Sequence, residues 1–371
     1  MGGGLLQLVA YGAQDVYLTG NPQITFFKVV YRRHTNFALE SIQQTFNGNA
    51  SLGSRVSVLV TRNGDLINRM YFKGSLNNTS GGDTKDYYGL RLLKNVELEI
   101  GGQRIDKQYG EWMYIWNELS LPKGKRNGYD IMVGASVINN GNTKDVCVPL
   151  EFWFCRNVGL ALPLIALQYH EVKVNIEFAT ASDLLTSGGT TGLTLSNAEL
   201  WVDYVYLDTD ERRRFAQLSH EYLIEQLQFT GSESLSSGFK SVRMNFNHPV
   251  KELVWTTFVD TDPWTYTETK KGKIQLNGND RIAERHGDYF SLVQPYQHHT
   301  NIPDGKNINV YSFALKPEEH QPSGTLNMSR IDSAHLYVEG SGSANMMINV
   351  YAVNYNVLRI LSGMGGLAHS N

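Results

Sequence analysis

The feature that most constrains the fold is an internal repeat. Residues 101–112 read GGQRIDKQYGEW, and residues 278–289 read GNDRIAERHGDY. Placing Arg104 on Arg281 aligns an Arg-Ile pair, a glycine, an acidic residue and an aromatic residue at one offset of 177. A repeat of this kind decides the architecture of a chain, so the flanking sequence should carry the same relationship.

The relationship extends in unchanged order along the chain. Upstream, residues 67–72 match residues 250–255 at an offset of 183. The matches downstream, at an offset of 159, are Phe152 with Tyr311, Pro163 with Pro322, Val172 with Ile331 and Phe178 with Tyr337. The falling offset makes the first copy about 24 residues longer, and the sequence predicts a tandem duplication of a unit of about 180 residues.

Both copies consist of short segments rich in β-branched and aromatic residues, most of which alternate apolar and polar positions. This pattern is typical of antiparallel strands with one buried face, separated here by Gly- and Asn-rich turns. The predicted strands are 55–61, 67–72, 93–100, 146–154, 172–178 and 200–207 in the first copy, and 223–229, 239–246, 252–259, 309–315, 334–338 and 347–353 in the second. The predicted fold class is all-β, with two tandem eight-stranded antiparallel jelly rolls, short helical inserts and a helical connector.

The repeat also sets the predicted domain boundaries. Residues 1–24 form an N-terminal arm, residues 25–207 the first jelly roll, residues 208–222 the connector, and residues 223–371 the second jelly roll with a C-terminal tail. The arm is glycine-rich and apolar, so it is expected to lie against a surface, either of another subunit or of its own chain.

A short helix is predicted where the arm ends. Asn21 followed by Pro22 is typical of a helix N-terminus, and Ile24, Phe27 and Tyr31 follow at helical spacing. A buried strand is the alternative for this segment.

A helical insert is predicted within the first copy of the repeat. Residues 109–119 place Trp112, Ile115, Trp116 and Leu119 on one helix face. We expect the insert to close one end of its sandwich, with these side chains in the core.

The connector is predicted to be a helix clamped between the two domains. It begins with acidic residues suited to a helix N-terminus, and Phe215 and Tyr222 belong to its apolar stripe. Arg212, Arg213 and Arg214 lie between acidic residues, so ion pairing or packing between the domains is favoured over a phosphate site.

Charge and cysteine content restrict the function. A formal net charge of −3 provides no field that attracts a nucleic-acid backbone or an anionic membrane, so direct nucleic-acid binding is not expected. Cys147 and Cys155 are expected to be structural thiols in a reducing compartment. Basic segments at residues 123–126 and 270–273 are predicted to be solvated loops. No secretory signal and no apolar run of membrane-spanning length is evident, which is typical of a soluble protein made in the cytosol.

The residues do not match the enzyme most readily built from two such β units. A bicupin needs two histidines one residue apart, on one face of a strand, to hold its metal. No His-x-His occurs, and the adjacent His298 and His299 are predicted to lie in a loop. Phosphate-binding loops and nucleophile elbows are also missing. We therefore expect no metal, no cofactor and no catalytic residue.

Glycosylation sequons occur at Asn49, Asn77, Asn78 and Asn327. Sequons in a cytosolic protein are most often accidental. Asn77 and Asn78 lie in a polar loop, so they are the candidates for modification at the surface.

Three long stretches carry a family resemblance. Residues 21–37, 208–226 and 321–332 closely resemble the major capsid proteins of the nucleocytoplasmic large DNA viruses. The resemblance implies two jelly rolls per subunit and three subunits per pseudo-hexagonal capsomer, with many capsomers tiling an icosahedral shell over an internal membrane. It implies a protein of the virion, assembled in the host cytoplasm. The implied partners are the chain itself, neighbouring capsomers, minor capsid proteins and a penton protein.

Two other functions fit a pair of β-sandwiches. A two-domain carbohydrate-binding lectin predicts a monomer or small oligomer whose melting temperature shifts with sugar. A bicupin-like metalloenzyme predicts a bound metal. The capsid interpretation predicts a stable homotrimer, since three two-sandwich subunits present six similar sandwiches around one axis.

Overall fold

The computed structural model describes residues 2–235, 238–259, 262–303, 305, 307–341 and 345–370. The chain divides into an N-terminal unit, residues 1–36, and a compact body, residues 37–371. The N-terminal unit contains the helices α1 (Gly3–Val9) and α2 (Val16–Thr19).

The helix predicted after Asn21 is wrong. Asn21 has a φ of 48°, in the left-handed region, whereas a helix N-cap needs extended backbone. Residues 22–36 form no helix and no strand.

The body begins with a β-sandwich. Its strands are β1 (Phe37–Gln44), β2 (Phe46–Asn47), β3 (Arg55–Leu59), β4 (Leu66–Asn78), β5 (Leu93–Ile100), β6 (Gln103–Tyr109), β7 (Asn142–Pro149), β8 (Leu162–Pro163), β9 (Val172–Phe178) and β10 (Leu193–Leu207). One antiparallel sheet has the order β1-β10-β4-β7, with β8 also paired to β4, and the other has the order β2-β3-β9-β5-β6. The helices between these strands are α3 (Tyr88–Leu92), α4 (Gly110–Ser120), α5 (Lys123–Val133), α6 (Trp153–Arg156) and α7 (Ala181–Leu184).

Helix α8 (Thr209–Gln217) leads into a second sandwich. Its strands are β11 (His220–Phe229), β12 (Glu233–Leu235), β13 (Lys240–Arg243), β14 (Pro249–Val259), β15 (Tyr266–Thr267), β16 (Thr269–Leu276), β17 (Asn279–His286), β18 (Asn309–Ser312), β19 (Leu326–Asn327), β20 (Ala334–Gly340), β21 (Met346–Leu361) and β22 (Met364–Leu367). One sheet is built around β11-β21-β14, and the other has the order β13-β20-β16-β17. A π-helical segment (Tyr289–Val293) continues into α9 (Gln294–His298).

The two sandwiches repeat one strand order. The series β1-β10-β4 corresponds to β11-β21-β14, and β9-β5-β6 corresponds to β20-β16-β17. Tyr71 of β4 pairs with Trp201 of β10, and at the equivalent position Val254 of β14 pairs with Tyr351 of β21. The duplication read from the sequence is therefore present in the sheet register.

Gly110 and Gly287 occupy the same place in the two copies. A Cβ on Gly110 would lie 2.1 Å from the carbonyl oxygen of Leu90, and a Cβ on Gly287 would lie 1.5 Å from that of Thr269. At each glycine the chain leaves an edge strand and passes close to the backbone of an earlier segment. Only a residue without a side chain fits there, which explains why both copies of the repeat have glycine.

The downstream alignment needs a correction of three residues. Val172 pairs with Ile100 at the end of one hairpin, and Ala334 pairs with Leu276 at the end of its counterpart. Val172 therefore corresponds to Ala334 rather than to Ile331. The match at an offset of 159 was wrong at this position. Residues of the two copies are equivalent when they hold the same place in the strand pairing, and the loops between the strands differ in length.

Several predicted elements differ from those observed. The predicted strand 146–154 ends at Pro149, and Trp153 begins α6. The predicted solvated loops are also wrong, because residues 123–126 open α5 and residues 270–273 belong to β16. In β16, Lys270 and Lys271 are exposed and Lys273 is half-buried, so the charges of this strand reach solvent.

Among the described residues, two large apolar cores and one small cluster fill the body. One lies inside the second sandwich and includes Leu253 and Trp255 of β14. The other fills the first sandwich and continues to Val254 and Tyr351 on the outer face of the second. Since successive residues of a strand point to opposite faces, both faces of the β11-β21-β14 sheet are buried, one of them against the first sandwich. Within the described ranges, no helix is both long and apolar enough to span a bilayer.

Candidate assembly surface

The two sandwiches meet at a surface that we call the junction. It is formed by α4, β6 and α6 of the first sandwich and by β11, β14 and β21 of the second. The insert that contains α4 was predicted to close the end of its own sandwich. The predicted core placement is confirmed, because its apolar side chains belong to the core of the first sandwich. The insert has a second role that was not predicted, since Trp112 packs on Tyr351 and Trp116 on His299 of the second sandwich.

A buried carboxylate lies at the centre of the junction. Glu111 in the first turn of α4 accepts hydrogen bonds from the Tyr351 hydroxyl (2.8 Å), the Asn349 amide (2.8 Å) and the Thr256 hydroxyl (3.2 Å). Burial raises the pKa of Glu111 to about 7, although these hydrogen bonds lower it. The helix N-terminus is a favourable place for this charge.

Aromatic rings surround Glu111. Trp112 packs on Tyr351 with 5.4 Å between ring centroids, and Phe229 stacks on the same tyrosine at 4.6 Å. Tyr109 meets Phe229 edge to face at 5.0 Å. These rings bury large apolar surfaces across the junction, which makes it resemble a domain core.

A second buried carboxylate joins β6 to β11. Asp106 accepts hydrogen bonds from the Leu227 amide (3.1 Å) and from the Gln108 side chain (2.7 Å). Burial raises the pKa of Asp106 to about 6. The Gln226 side chain also donates to the Ile105 carbonyl, so strand edges of the two sandwiches are bonded together.

A charged cluster lies beside α6. Glu225 of β11 contacts Arg156 (2.8 Å), Lys251 (3.0 Å) and His320 (3.3 Å). Burial acts to raise the pKa of Glu225, but the Arg156 charge and the contacts with His320 and Lys251 outweigh it and lower the pKa to about 2. Arg156 brings its charge from the first sandwich, so the cluster also joins the two domains.

His299 forms a buried ionic group next to this cluster. It lies 2.8 Å from Glu252 and 2.9 Å from Glu318, and Trp116 of the first sandwich packs against its ring edge to face. Burial acts to lower the pKa of His299, but the two carboxylates outweigh it and raise the pKa to about 9. The loop predicted for His298 and His299 is found only at His299, because His298 is the last residue of α9. The His299 side chain is nevertheless buried rather than solvated.

Glu225 and His299 each contact more than one group of opposite charge, whereas Glu111 and Asp106 accept hydrogen bonds from neutral donors. Among the residues that the structure describes, no group of three His, Cys, Asp or Glu side chains is arranged to hold a metal ion. The junction can therefore fix the orientation of two sandwiches, and its chemistry is that of a packed, hydrogen-bonded interface.

The connector residues lie in several environments. Arg212 contacts Asp65 at 3.1 Å, Arg214 contacts Glu211 at 3.1 Å, and the Arg213 side chain is exposed. Phe215 stacks on His220 and packs beside Leu66, Ala161 and Val205. The predicted apolar stripe does not form in full, because α8 ends at Gln217 and Tyr222 belongs to β11.

The polar loop predicted at Asn77 and Asn78 is wrong, because both residues belong to β4. The two sequons also differ in accessibility. Asn78 is fully buried, and its amide donates to the carbonyls of Gly82 and Ile138, each at 2.9 Å. A glycan on the Asn78 amide nitrogen would replace one of its two hydrogens, so at least one of these bonds would be lost. Asn77 is half-buried and accepts a hydrogen bond from Thr143 (3.1 Å).

Sequence reasoning missed Glu111, Glu225, Lys251 and His299 as residues of the junction. The adjacent Lys251 and Glu252 inside the apolar run of β14 are a usable signal, since charges there must be paired. Glu111 carried no comparable signal.

Comparison with known proteins identifies the family. Residues 25–208 match the family model "Major capsid protein N-terminus", and residues 211–366 match "Large eukaryotic DNA virus major capsid protein". The chain belongs to the major capsid proteins of large eukaryotic DNA viruses.

Individual relatives agree with this assignment. The major capsid protein of Pyramimonas orientalis virus is 56% identical over 404 residues, covering 100% of both chains. A chain of the quasi-atomic model of the PBCV-1 virus capsid superposes with a TM-score of 0.85 at 41% identity, over 94% of this chain and 100% of that one. The Faustovirus major capsid protein, 14% identical, has a TM-score of 0.77 over 95% of this chain and 94% of that one, which shows a shared fold.

Several predictions are confirmed by these matches. The double jelly-roll fold is confirmed, and the protein is a structural component of the virus capsid rather than an enzyme. Neither the lectin nor the bicupin-like metalloenzyme receives support from the relatives.

Proposed function

We propose that three copies of this major capsid protein form a capsomer of pseudo-hexagonal outline, and that such capsomers tile an icosahedral shell. The observation that carries the proposal is the junction between two sandwiches of the same strand order. Three chains then place six similar sandwiches around a threefold axis, which fills a near-sixfold lattice site with closed symmetry.

Size-exclusion chromatography with light scattering tests the proposed stoichiometry. At micromolar concentration the full chain should elute with three times the 41.7 kDa mass of one subunit. A monodisperse monomer under the same conditions would contradict the proposal.

The finer organisation of the chain belongs to the same proposal. Residues 25–207 and 223–371 act as the two jelly rolls, residues 208–222 connect them, and residues 1–24 form an arm. The position of α8 between β10 and β11 supports the connector. The contacts of Arg212 and Phe215 support its attachment to the first sandwich. Limited proteolysis should therefore cut the arm before it separates the jelly rolls.

We also infer contacts beyond the capsomer, which family membership supports. The expected partners are neighbouring capsomers, minor capsid proteins and a penton protein. The shell lies near an internal membrane and is assembled in the host cytoplasm. Crosslinking mass spectrometry of purified virions would test these contacts, and a capsid protein crosslinked only to itself would contradict those with other proteins.

Asn77 is the sequon that we propose for glycosylation, since its side chain is the more accessible of the two candidates. Intact mass measurement of the protein from virions should show added mass that Asn77→Gln removes. An unmodified mass would contradict the proposal.

A further inference from the structure

The two copies of the helical insert lie in different environments. In the first copy, α4 is buried in the junction, and Ile115 and Leu119 are fully buried. Their counterparts at the offset of 177 are Leu292 and Tyr296, which are 36% and 75% exposed. The insert of the second sandwich therefore exposes positions that the first copy buries, since every residue of α4 from Gly110 to Leu119 is buried.

The sheet that receives α4 also has an exposed counterpart. Val254 and Tyr351 on the outer face of the second sandwich are 0% and 1% exposed, because the first sandwich covers them. Tyr71 and Trp201 hold the same positions on the first sandwich, where they are only half-buried. Their rings stack with 6.3 Å between centroids and 3° between planes. This leaves a flat aromatic platform on the outer face.

The edge strands of the junction also have counterparts that are exposed. In the junction, β6 is bonded to β11 through Asp106 and Gln226. The counterpart of β6 is β17, and the counterpart of β11 is β1. Both counterparts are edge strands with exposed side chains along most of their length. Exposed edge strands can pair with other chains and cause aggregation. A contact between copies that covers both β17 and β1 would prevent such pairing.

Asp288 and Lys73 carry opposite charges on the two exposed surfaces, although Glu199, which pairs with Lys73 across the strands, has the same sign as Asp288. Glu111 of the junction corresponds to Asp288, and its partner Thr256 corresponds to Lys73. The Asp288 side chain is 63% exposed, and Lys73 is exposed on the outer face of β4. Beside Lys73, Glu199 takes the place of Asn349, and its carboxylate accepts a hydrogen bond from the Trp201 indole at 2.9 Å. Within the chain, the carboxylate of Glu111 accepts hydrogen bonds from neutral groups. Between chains, the corresponding carboxylate of Asp288 would meet the ammonium group of Lys73.

We propose that the insert of the second sandwich, residues 288–298, docks on the outer β1-β10-β4 face of the first sandwich of a neighbouring copy. The contact repeats the junction between chains and places Asp288 beside Lys73 of the neighbour. It is heterologous, because each copy offers its insert to the next and its sheet face to the previous one, and three such contacts close a ring. This inference rests on the proposed trimer and names the surface that forms it.

Charge reversal tests the pairing directly. Asp288→Lys and Lys73→Glu should each raise the concentration at which the trimer half-dissociates by at least about tenfold, because like charges would meet at three contacts. The double variant should return that concentration to within about threefold of the wild type. Lys125→Glu, an exposed lysine on α5, is the matched control and should leave it unchanged.

The apolar part of the surface has its own test. Tyr296→Asp should prevent trimer formation at micromolar concentration, because a central exposed aromatic in such a contact carries much of its free energy. Ile131→Asp, at an 80% exposed apolar position on α5, should leave the trimer intact. Both changes are on exposed side chains, and an unchanged melting curve of the monomer would show that each variant folds.

The outcomes separate this inference from the proposed function. If the wild type is a trimer and Tyr296→Asp is also a trimer, the proposed docking surface is wrong. The same holds if the double charge reversal dissociates at as low a stability as the weaker of the two single variants. Either result would leave the trimer itself unaffected. A wild type that is monomeric would overturn the proposed function itself.

Discussion

The hydroxyl of Tyr351 donates a 2.8 Å hydrogen bond to the carboxylate of Glu111, and this bond joins a strand of the second sandwich to a helix of the first. Both groups are buried. Two domains linked in this way should behave as one cooperative unit, because separating them would expose an aromatic cluster and leave hydrogen-bonding groups without their partners.

Stability should depend on pH through Glu111. Its pKa is raised from 4.5 to about 7, so between these pH values the folded state holds a proton that the unfolded state has released. The free energy of unfolding should therefore fall as the pH rises from about 4.5 to about 7, by about 1–3 kcal/mol. Urea unfolding at a series of pH values measures this change.

Glu111→Gln is the matched variant, since glutamine does not titrate. The difference in unfolding free energy between variant and wild type should vary with pH over that range. A constant difference would show that Glu111 does not titrate there. Asp106 titrates in both proteins and cancels in the comparison.

The aromatic contacts of α4 should contribute strongly to stability. Trp112→Ala and Trp116→Ala each remove a ring that is at most 5% exposed, and each should lower the free energy of unfolding by about 3–5 kcal/mol. Ile131→Ala, at an exposed position, should change it by less than about 0.5 kcal/mol. Chemical denaturation measures all three, and similar losses for Trp112 and Ile131 would contradict the placement of α4 in the junction.

Substitutions in the charged cluster around Glu225 should have strongly non-additive effects on the free energy of unfolding. Glu225→Gln leaves Lys251, which is 1% exposed, and Arg156 without their shared carboxylate, and should lower the free energy of unfolding by about 3–5 kcal/mol. Adding Lys251→Met should recover part of that loss, because it removes the stranded charge. A double-mutant cycle measures the coupling, and strictly additive losses would be inconsistent with a buried ion pair.

The paired glycines should be intolerant of a side chain. Gly110→Ala and Gly287→Ala would each place a Cβ within 2.1 Å of a backbone carbonyl oxygen, and each should lower the melting temperature by several degrees. Gly124→Ala on α5 meets nothing within 4 Å and should raise it slightly, since alanine favours a helix. Differential scanning fluorimetry distinguishes these outcomes, and an unchanged melting temperature for both repeat glycines would refute their common role.

The bounds of a strand could be predicted where the residues of that strand alone carry a clear pattern of apolar and polar positions. Residues 93–100 and 172–178 were predicted with the bounds that the structure shows, because apolar and polar residues alternate along most of each segment. Helix α5 was missed, since Gly124, Gly128 and a run of charges hide its amphipathic pattern. The helix after Asn21 failed because a capping dipeptide is a local signal that the observed backbone does not follow.

The junction could not be predicted in the same way. Thr256 lies 145 positions from Glu111, and Asn349 and Tyr351 lie 238 and 240 positions away, so no local pattern brings these partners together. The repeat supplied the missing information indirectly, because it showed that two equivalent surfaces exist. Only the structure shows that one of them is buried within the chain while its counterpart is exposed.

The central claim is that two equivalent sandwiches per chain allow three chains to occupy a sixfold outline. Negative-stain electron microscopy of the purified full chain measures this most directly. Class averages should show hexagonal particles with six lobes and threefold symmetry. Uniform particles of single-subunit size, with no hexagonal outline at micromolar concentration, would contradict the claim.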